Sequence, residues 1–238
     1  MAPPGRTPSL GSRPRALETD TPMADLALHI DAFWISPYAM SAFVALEELG
    51  VPYELVEVSM ADAEHRLASY AAPTGRVPAL VHRGAAPGGR DLWLAESQAI
   101  DEYLAELFPP PQHSRLYPED RVERAIARQI QAWVRSDLSP IREERSTHTI
   151  WYGSATPPLS PKALATRDKL VRAASAWLGE RTQLFSSWSV ADADLALMLR
   201  RVVADELPAP LVRFVETQLA RPSLAKWHTH ARPPYRPY

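Results

Sequence analysis

The sequence predicts a mixed α/β unit followed by an all-helical unit. Strand-like and helix-like patterns alternate up to residue 108, and only helical patterns follow it. Charge divides the chain at the same place: the first 108 residues hold 7 Arg and Lys against 15 Asp and Glu, and the remainder holds 19 against 13. Opposite charge balances favour two units that fold separately and dock, although unequal solvated faces would give the same imbalance.

Proline clusters mark the boundaries of these units, because proline breaks helix interiors and cannot donate a backbone hydrogen bond. The chain holds 24 prolines, with five in the first 24 residues and four in 109–118. Residues 1–24 show no periodicity and are predicted to form a disordered tail, or to be an extension before a true start at Met23. We expect one domain at 25–108, a linker at 109–118 and a helical domain at 119–238.

Composition excludes several classes of function. The chain lacks cysteine, which rules out disulfides, thiolate metal sites and a cysteine nucleophile, so any thiol chemistry must use the thiol of a ligand. A net charge of −2 argues against general binding to nucleic acid or anionic membranes. No stretch has the length and apolarity of a membrane span, and the N-terminus lacks the apolar core of a signal peptide. These features favour a cytoplasmic protein.

The first domain is predicted to have the element order β-α-β-(short helix)-β-β-α. Short apolar or alternating runs predict its strands at 26–32, 53–58, 78–81 and 91–95, and helical spacing of apolar residues predicts its longer helices at 38–49 and 97–107. Gly50 stops the first of these helices. The short helix falls in the irregular segment that ends near Arg76.

The second domain is predicted to contain helices only. Val122, Ile126 and Ile130 lie at helical spacing and predict a long helix over 119–138. Further helices are expected at 161–180, 190–203, 209–220 and 223–229. Ser189 and Asp192 form a capping-box pattern before the third of these five helices, which we interpret as purely structural.

Ser36 and Pro37 form the first candidate site. Serine at an N-cap followed by proline is the ordinary start of a helix, so capping alone would account for Ser36. The same position also favours an anion, because free backbone N–H groups and the positive end of the helix dipole meet there. A thiolate bound there and hydrogen-bonded to the serine hydroxyl would form more easily than a free thiolate in water.

Two further candidates lie at strand ends. A cis bond between Val77 and Pro78 would leave the Val77 backbone facing a ligand, whereas an ordinary strand start needs no such bond. Glu96 and Ser97 lie where the last strand meets a helix. Capping alone would explain Ser97. Alternatively, the pair binds the α-amino and α-carboxylate groups of a ligand: backbone N–H groups and the hydroxyl at Ser97 bind the carboxylate, and Glu96 binds the ammonium group.

These motifs, in this order, resemble the soluble glutathione S-transferase superfamily, in which a thioredoxin-like domain precedes an all-α domain. The similarity runs from about residue 26 to residue 227 and rests on SPYAMSAFVALEELGVPYE, GRVPAL, AESQAIDEYL and SVADADLAL. The stretch IQAWVRSDLSPIREER is similar to the bacterial YfcF-like group. The resemblance implies glutathione as co-substrate, no metal, and a homodimer.

The resemblance also implies roles for the candidate residues. Ser36 matches the residue that hydrogen-bonds the glutathione sulfur in serine-type classes. Val77 matches the residue before the cis-proline, whose backbone binds the cysteinyl part. Glu96 and Ser97 match the clamp for the γ-glutamyl group.

Two more positions and three departures complete the comparison with this family. His65 matches a position that contacts the glycine carboxylate in some classes, and Arg76 assists it. The Ser/Cys/Arg pattern of zeta-type isomerases is absent, which argues against isomerase activity. The lack of cysteine excludes the cysteine-type classes, and the lack of tyrosine at 31–36 excludes the tyrosine-type arrangement.

The predicted function is activation of the glutathione thiol for conjugation to a small electrophile, for reduction of an organic peroxide, or for both. The alternative is a non-catalytic binding or stress-response scaffold with the same fold. A complete ligand clamp favours the enzyme, because a scaffold does not need one. Trp34, Trp133 and Trp151 are candidates for an apolar acceptor pocket, although tryptophans at such spacing more often pack in a core.

Overall fold

The computed structural model describes residues 25–153, 157–203 and 207–237. The tail predicted over residues 1–24 lies outside the described residues. None of the helices in these ranges is long and apolar enough to cross a membrane.

A four-stranded sheet forms the first domain. Its strands are β1 (Leu26–Asp31), β2 (Glu54–Val58), β3 (Ala79–Ala86) and β4 (Arg90–Ala95). The strand order is β2-β1-β3-β4, with β1 and β2 parallel and the other two pairs antiparallel. The helices α1 (Pro37–Leu49) and α2 (Ser97–Leu107) complete the predicted element order, which is confirmed.

The short helix predicted before Arg76 is a single 3₁₀ turn at Glu64–Arg66. Ala63 precedes it with a left-handed φ of 58°, and Leu67 follows it in an extended conformation. These two residues leave room for only three helical residues, which is the usual length of a 3₁₀ element.

Within the described ranges, all regular secondary structure of the second domain is helical, as predicted. They are α3 (Arg121–Ser136), α4 (Ser139–Glu144), α5 (Thr147–Tyr152), α6 (Pro161–Leu178), α7 (Val190–Arg200), α8 (Ala209–Leu219) and α9 (Pro222–His228). The sequence did not predict α4 and α5, because six residues are too few to show a helical period. Val122 was expected on the apolar side of α3, yet it is 67% exposed in the first turn.

One hydrophobic core runs through both domains. Helix α1 lies between the sheet and α2 of its own domain and α7 and α9 of the helical domain. The segment 109–118, expected as a linker, contributes buried Leu116 and Tyr117 to this core. The Leu116 carbonyl also accepts hydrogen bonds from the Val190 N–H and the Ser189 hydroxyl. The two domains therefore share their interior.

The segment after α9 returns to the first domain. The His230 ring stacks on Trp34 with 3.6 Å between ring centroids, and Arg232 Nε donates to the Trp34 carbonyl at 3.1 Å. These contacts hold the loop between β1 and α1 from the side of the helical domain.

Candidate active site

An open cleft of about 440 Å³ lies at the N-terminal end of α1. Four of the predicted site residues line it, namely Ser36, His65, Arg76 and Val77. The helical domain contributes Thr147 of α5 to its wall. The fold thus brings residues from three separate segments of the first domain to one opening beside the second.

Ser36 is the N-cap of α1, and Pro37 occupies the first helical position, as the sequence predicts. The Ser36 Oγ accepts a hydrogen bond from the Ala39 N–H at 3.2 Å. In the part of the chain that the structure describes, no group accepts the hydroxyl proton of Ser36. The half-buried hydroxyl can therefore cap the helix with its oxygen and still donate its proton into the cleft.

Asp31 fixes the loop that carries Ser36, a role that sequence reasoning missed. Its carboxyl group is buried at the end of β1. One carboxyl oxygen accepts from the Ile35 N–H and the other from the Ser36 N–H, each at 3.0 Å. Burial raises the pKa of Asp31, and these two backbone hydrogen bonds oppose the rise. The only signal in the sequence was an acidic residue ending an apolar strand shortly before a helix start.

The Val77–Pro78 peptide bond is cis, which confirms the prediction made for it. Val77 is half-buried in the wall of the cleft. Among the described residues, none forms a hydrogen bond with its backbone N–H or carbonyl group. Both groups are available to an extended peptide-like ligand.

His65 and Arg76 both line the cleft, but they differ in burial. The half-buried His65 accepts a hydrogen bond at Nε2 from Arg66 Nε at 3.3 Å. Its Nδ1 atom is buried without a hydrogen-bond partner among the described groups. Arg76 is exposed, and its carbonyl accepts a 2.6 Å hydrogen bond from the Tyr70 hydroxyl.

Glu96 and Ser97 are not among the residues that line this cleft, but the sheet places them beside it. Ala79 of β3 pairs with Ala95 of β4 in the antiparallel register, so the chain enters β3 from Val77 and leaves β4 towards Glu96 at the same end of the sheet. Glu96 is exposed and has a φ of 68°, a conformation that costs a residue other than glycine about 1–3 kcal/mol. Strain of this kind is concentrated at functional sites.

Arg135 of α3 holds the Ser97 side chain from the other domain. The Ser97 Oγ accepts hydrogen bonds from Arg135 Nε at 3.0 Å and Nη2 at 2.9 Å. Arg135 Nη1 also donates to Asp194 of α7 at 2.8 Å. The sequence gives no local signal that relates Arg135 to Ser97.

A buried polar network continues behind this contact. Asp101 Oδ2 accepts hydrogen bonds from the Ser41 hydroxyl at 2.9 Å and Gln131 Nε2 at 3.1 Å. Gln131 Nε2 also donates to Asp194, and the Tyr117 hydroxyl donates to the Gln131 Oε1. Burial and the neighbouring charge of Asp194 raise the pKa of Asp101. The network joins α1, α2, α3 and α7 and fixes Ser97 against the helical domain.

The three tryptophans considered for an acceptor pocket do not line the cleft. Trp34 is buried in the shared core, and Trp133 and Trp151 pack against that core. This packing agrees with the other explanation that the sequence left open.

The first domain has a mixed four-stranded sheet and a cis-proline before β3, and the second domain is helical. Together these features define a thioredoxin-like protein with an appended all-α domain. The family model described as the glutathione S-transferase N-terminal domain matches residues 35–107, and the one described as the C-terminal domain matches residues 120–231. A solved glutathione transferase homologue from Burkholderia (BGR1), with bound glutathione, is 37% identical with a TM-score of 0.67. That match covers 85% of this chain and 94% of the other. The chain belongs to the glutathione S-transferase family.

Curated relatives match over shorter stretches. A probable glutathione S-transferase of Oryza sativa subsp. japonica is 34% identical over 109 residues, which is 45% of this chain and 43% of that protein. A maleylpyruvate isomerase of Ralstonia sp is 36% identical over 115 residues, or 48% of this chain and 50% of that protein. The chain thus spans about half the length, or less, of these curated relatives.

Proposed function

We propose that the protein is a serine-type glutathione transferase in which the Ser36 hydroxyl donates a hydrogen bond to the thiolate of glutathione. The observation that carries this proposal is the uncommitted hydroxyl proton of Ser36, placed at a helix N-terminus and facing an open cleft. The helix dipole and a hydroxyl donor both favour the charged form of the sulfur. Each lowers the pKa of a thiol held there.

The remaining predicted residues are proposed to bind the glutathione backbone. The free N–H and carbonyl groups of Val77 suit the cysteinyl part of the tripeptide. Ser97 and Glu96 would hold the carboxylate and the ammonium group of the γ-glutamyl end. His65 and Arg76 would face the glycine carboxylate, where a cationic or donor side chain is required.

Arg135 supports this assignment for Ser97. Because the Ser97 oxygen accepts two hydrogen bonds from Arg135, the hydroxyl proton of Ser97 is left to donate to a ligand. The nearby guanidinium group also makes the site more favourable for a carboxylate. We propose Arg135 as a positioning residue for the γ-glutamyl clamp.

The reaction follows from an ionised thiol. The thiol proton passes to solvent, the sulfur forms a bond to an electrophilic carbon, and the leaving group departs with the electron pair of the bond that breaks. With an organic hydroperoxide, two glutathione molecules are oxidised to one disulfide while the peroxide is reduced to an alcohol and water.

The proposal includes three finer expectations: membership of the YfcF-like group, a homodimer and a cytoplasmic location. The homodimer is the simplest to test. Light scattering after size-exclusion chromatography should give twice the chain mass of 26.5 kDa, and the mass of a single chain would contradict the dimer.

Retention on immobilised glutathione followed by a conjugation assay tests the enzymatic function. We expect retention and turnover of chlorodinitrobenzene, with Ser36→Ala retaining binding while losing about ten-fold or more in rate at neutral pH. Retention without turnover of this substrate or of cumene hydroperoxide would favour the scaffold instead. Arg213→Gln, which removes an exposed arginine paired with Glu180, serves as a matched surface control.

A further inference from the structure

A second, smaller cavity adjoins the cleft, because Pro37 and Tyr38 line both. Its volume is about 20 Å³, which is room for one water-sized group. The other walls come from α3, α4 and the C-terminal half of α7, so the cavity lies at the junction of the two domains. A group seated there would be next to the helix start that carries Ser36.

The lining of this cavity is strongly basic. Three arginines, Arg135, Arg142 and Arg201, face one carboxylate, that of Asp194. Asp194 is already paired with Arg135 at 2.8 Å. Within the described ranges, neither of the other two arginines has a carboxylate partner. Two positive charges therefore meet at the cavity without a counter-charge.

Arg142 and Arg201 donate only to backbone carbonyl groups in the described part of the chain. Arg142 Nη1 donates to the carbonyls of Val134 and Arg135 at 2.9 and 2.8 Å. Arg201 Nη1 donates to the Arg145 carbonyl at 2.6 Å. Each guanidinium group has five N–H donors, so most of the donors of both groups stay available.

Arg201 is the more unusual of the two. It is only 7% exposed, and its Nε atom is buried with no hydrogen-bond partner among the described residues. Burial, with a smaller contribution from the charge of Arg142, lowers the pKa of Arg201 to about 10. An isolated buried charge is unfavourable unless it is paired, so an anion in the cavity would be stabilised there.

We propose that Arg142 and Arg201 bind the carboxylate of an anionic acceptor substrate whose electrophilic atom lies in the cleft at Ser36. This inference rests on the proposed function and specifies its substrate class. A carboxylate fits because its planar pair of oxygens matches the donor geometry of guanidinium, and because one oxygen fills the small cavity. Tyr38, between the two spaces, would contact the body of the substrate.

A matched pair of aryl chlorides tests this assignment. Chloronitrobenzoate and chloronitrobenzamide share a leaving group and differ by one negative charge. In both, the sulfur of glutathione bonds to the ring carbon and chloride leaves with the C–Cl electron pair, while the carboxylate or amide is unchanged. Dividing each catalysed rate by the uncatalysed rate with glutathione removes the difference in intrinsic reactivity.

We expect the parent protein to favour the acid over the amide by about ten-fold or more, as a buried charge-assisted pair would give. Arg201→Gln and Arg142→Gln should each lower this preference to about two-fold or less. Arg201→Lys, which keeps the charge but replaces the planar guanidinium fork with a single ammonium group, should give an intermediate value. The ratio is measured within one preparation, so a partly unfolded variant does not distort it.

Arg213→Gln is the matched control, because it removes one exposed arginine that does not line the cavity and should retain the full preference. Turnover of both substrates without a preference for the acid would overturn the inference and leave the proposed function intact. A preference that survives in both glutamine variants would also overturn it.

Absence of turnover with both of these substrates and with chlorodinitrobenzene would contradict the proposed conjugation activity, and binding of benzoate would then decide the inference alone. Saturable binding of benzoate by calorimetry that is lost in Arg201→Gln or Arg142→Gln would support the anion site. No binding of benzoate by the parent would overturn the inference. Displacement of benzoate by chloride at equal concentration would also overturn it, since that result would mean an adventitious ion only.

Discussion

The starts of α1 and α7 are built alike and lie in different surroundings. Ser36 and Ser189 each cap a helix with a side-chain oxygen. Asp31 and Asp192 are both buried, and each accepts two backbone hydrogen bonds with its two carboxyl oxygens. Capping geometry by itself therefore does not identify a functional site in this molecule.

The hydroxyl protons distinguish the two helix starts. Ser189 is fully buried, and its hydroxyl donates to the Leu116 carbonyl at 3.1 Å, so both its oxygen and its proton are used inside the protein. Ser36 borders the cleft, and no described group accepts its proton. One serine stabilises the fold alone, whereas the other stabilises the fold and has a donor left for a ligand.

The largest effect should follow from removing the buried carboxyl group of α7. Asp192→Ala leaves the N–H groups of Leu184 and Ser189 buried and unpaired, which should lower the free energy of unfolding by about 2–5 kcal/mol. Urea unfolding measures this loss. Asp168→Ala, at an exposed aspartate of α6, is the control and should stay within about 0.5 kcal/mol of the parent. A loss of that small size in Asp192→Ala would contradict the structural role.

The same carboxyl group should give the stability a pH dependence. Burial raises the pKa of Asp192 from 3.8 to about 7, so the folded protein binds this proton more tightly than the unfolded chain. Its contribution is present below about pH 4 and is lost as pH rises towards 7, at up to about 1.4 kcal/mol per pH unit. Unfolding free energies of the parent and Asp192→Asn should converge or cross over this range. A constant difference between them would refute the assignment.

Replacing the cap of α7 should act on stability alone. Ser189→Ala should lower the free energy of unfolding by about 0.5–2 kcal/mol, as loss of an N-cap does. The pH dependence of the conjugation rate should match that of the parent, since Ser189 is buried away from the cleft. Thermal melts and a pH–rate profile measure the two effects. A displaced pH–rate profile would remove the contrast between the two serines.

The smallest effect on stability is expected at Glu96. Glycine adopts the positive φ of this position without strain, so Glu96→Gly should change the free energy of unfolding by less than about 1 kcal/mol. Its affinity for glutathione should nevertheless fall by about ten-fold as the ammonium partner is lost. Glu106→Gly, within α2, should show the reverse: a loss of about 1 kcal/mol and unchanged affinity. Unchanged affinity in Glu96→Gly would exclude the clamp.

Local sequence patterns predicted the strands and helices that carry the candidate site, but they did not predict the contacts between domains that complete it. The apolar run over 26–32 and the Ser36-Pro37 pair located β1 and the start of α1, because apolar spacing and capping are encoded in neighbouring residues. The hydrogen bond between Arg135 and Ser97 joins residues 38 positions apart in different domains. The pair formed by Arg142 and Arg201 was likewise invisible, since only tertiary packing brings α4 to the end of α7.

The pKa of the thiol of bound glutathione tests the role of Ser36 most directly. Ultraviolet absorbance of the thiolate, followed against pH at saturating glutathione, reports this pKa in the parent and in Ser36→Ala. We expect it to rise by about one unit in the variant, which corresponds to about 1.4 kcal/mol, and to stay below the value of free glutathione because the helix N-terminus remains. An identical pKa in both proteins, with only a lower melting temperature in the variant, would show that Ser36 caps α1 and does nothing more.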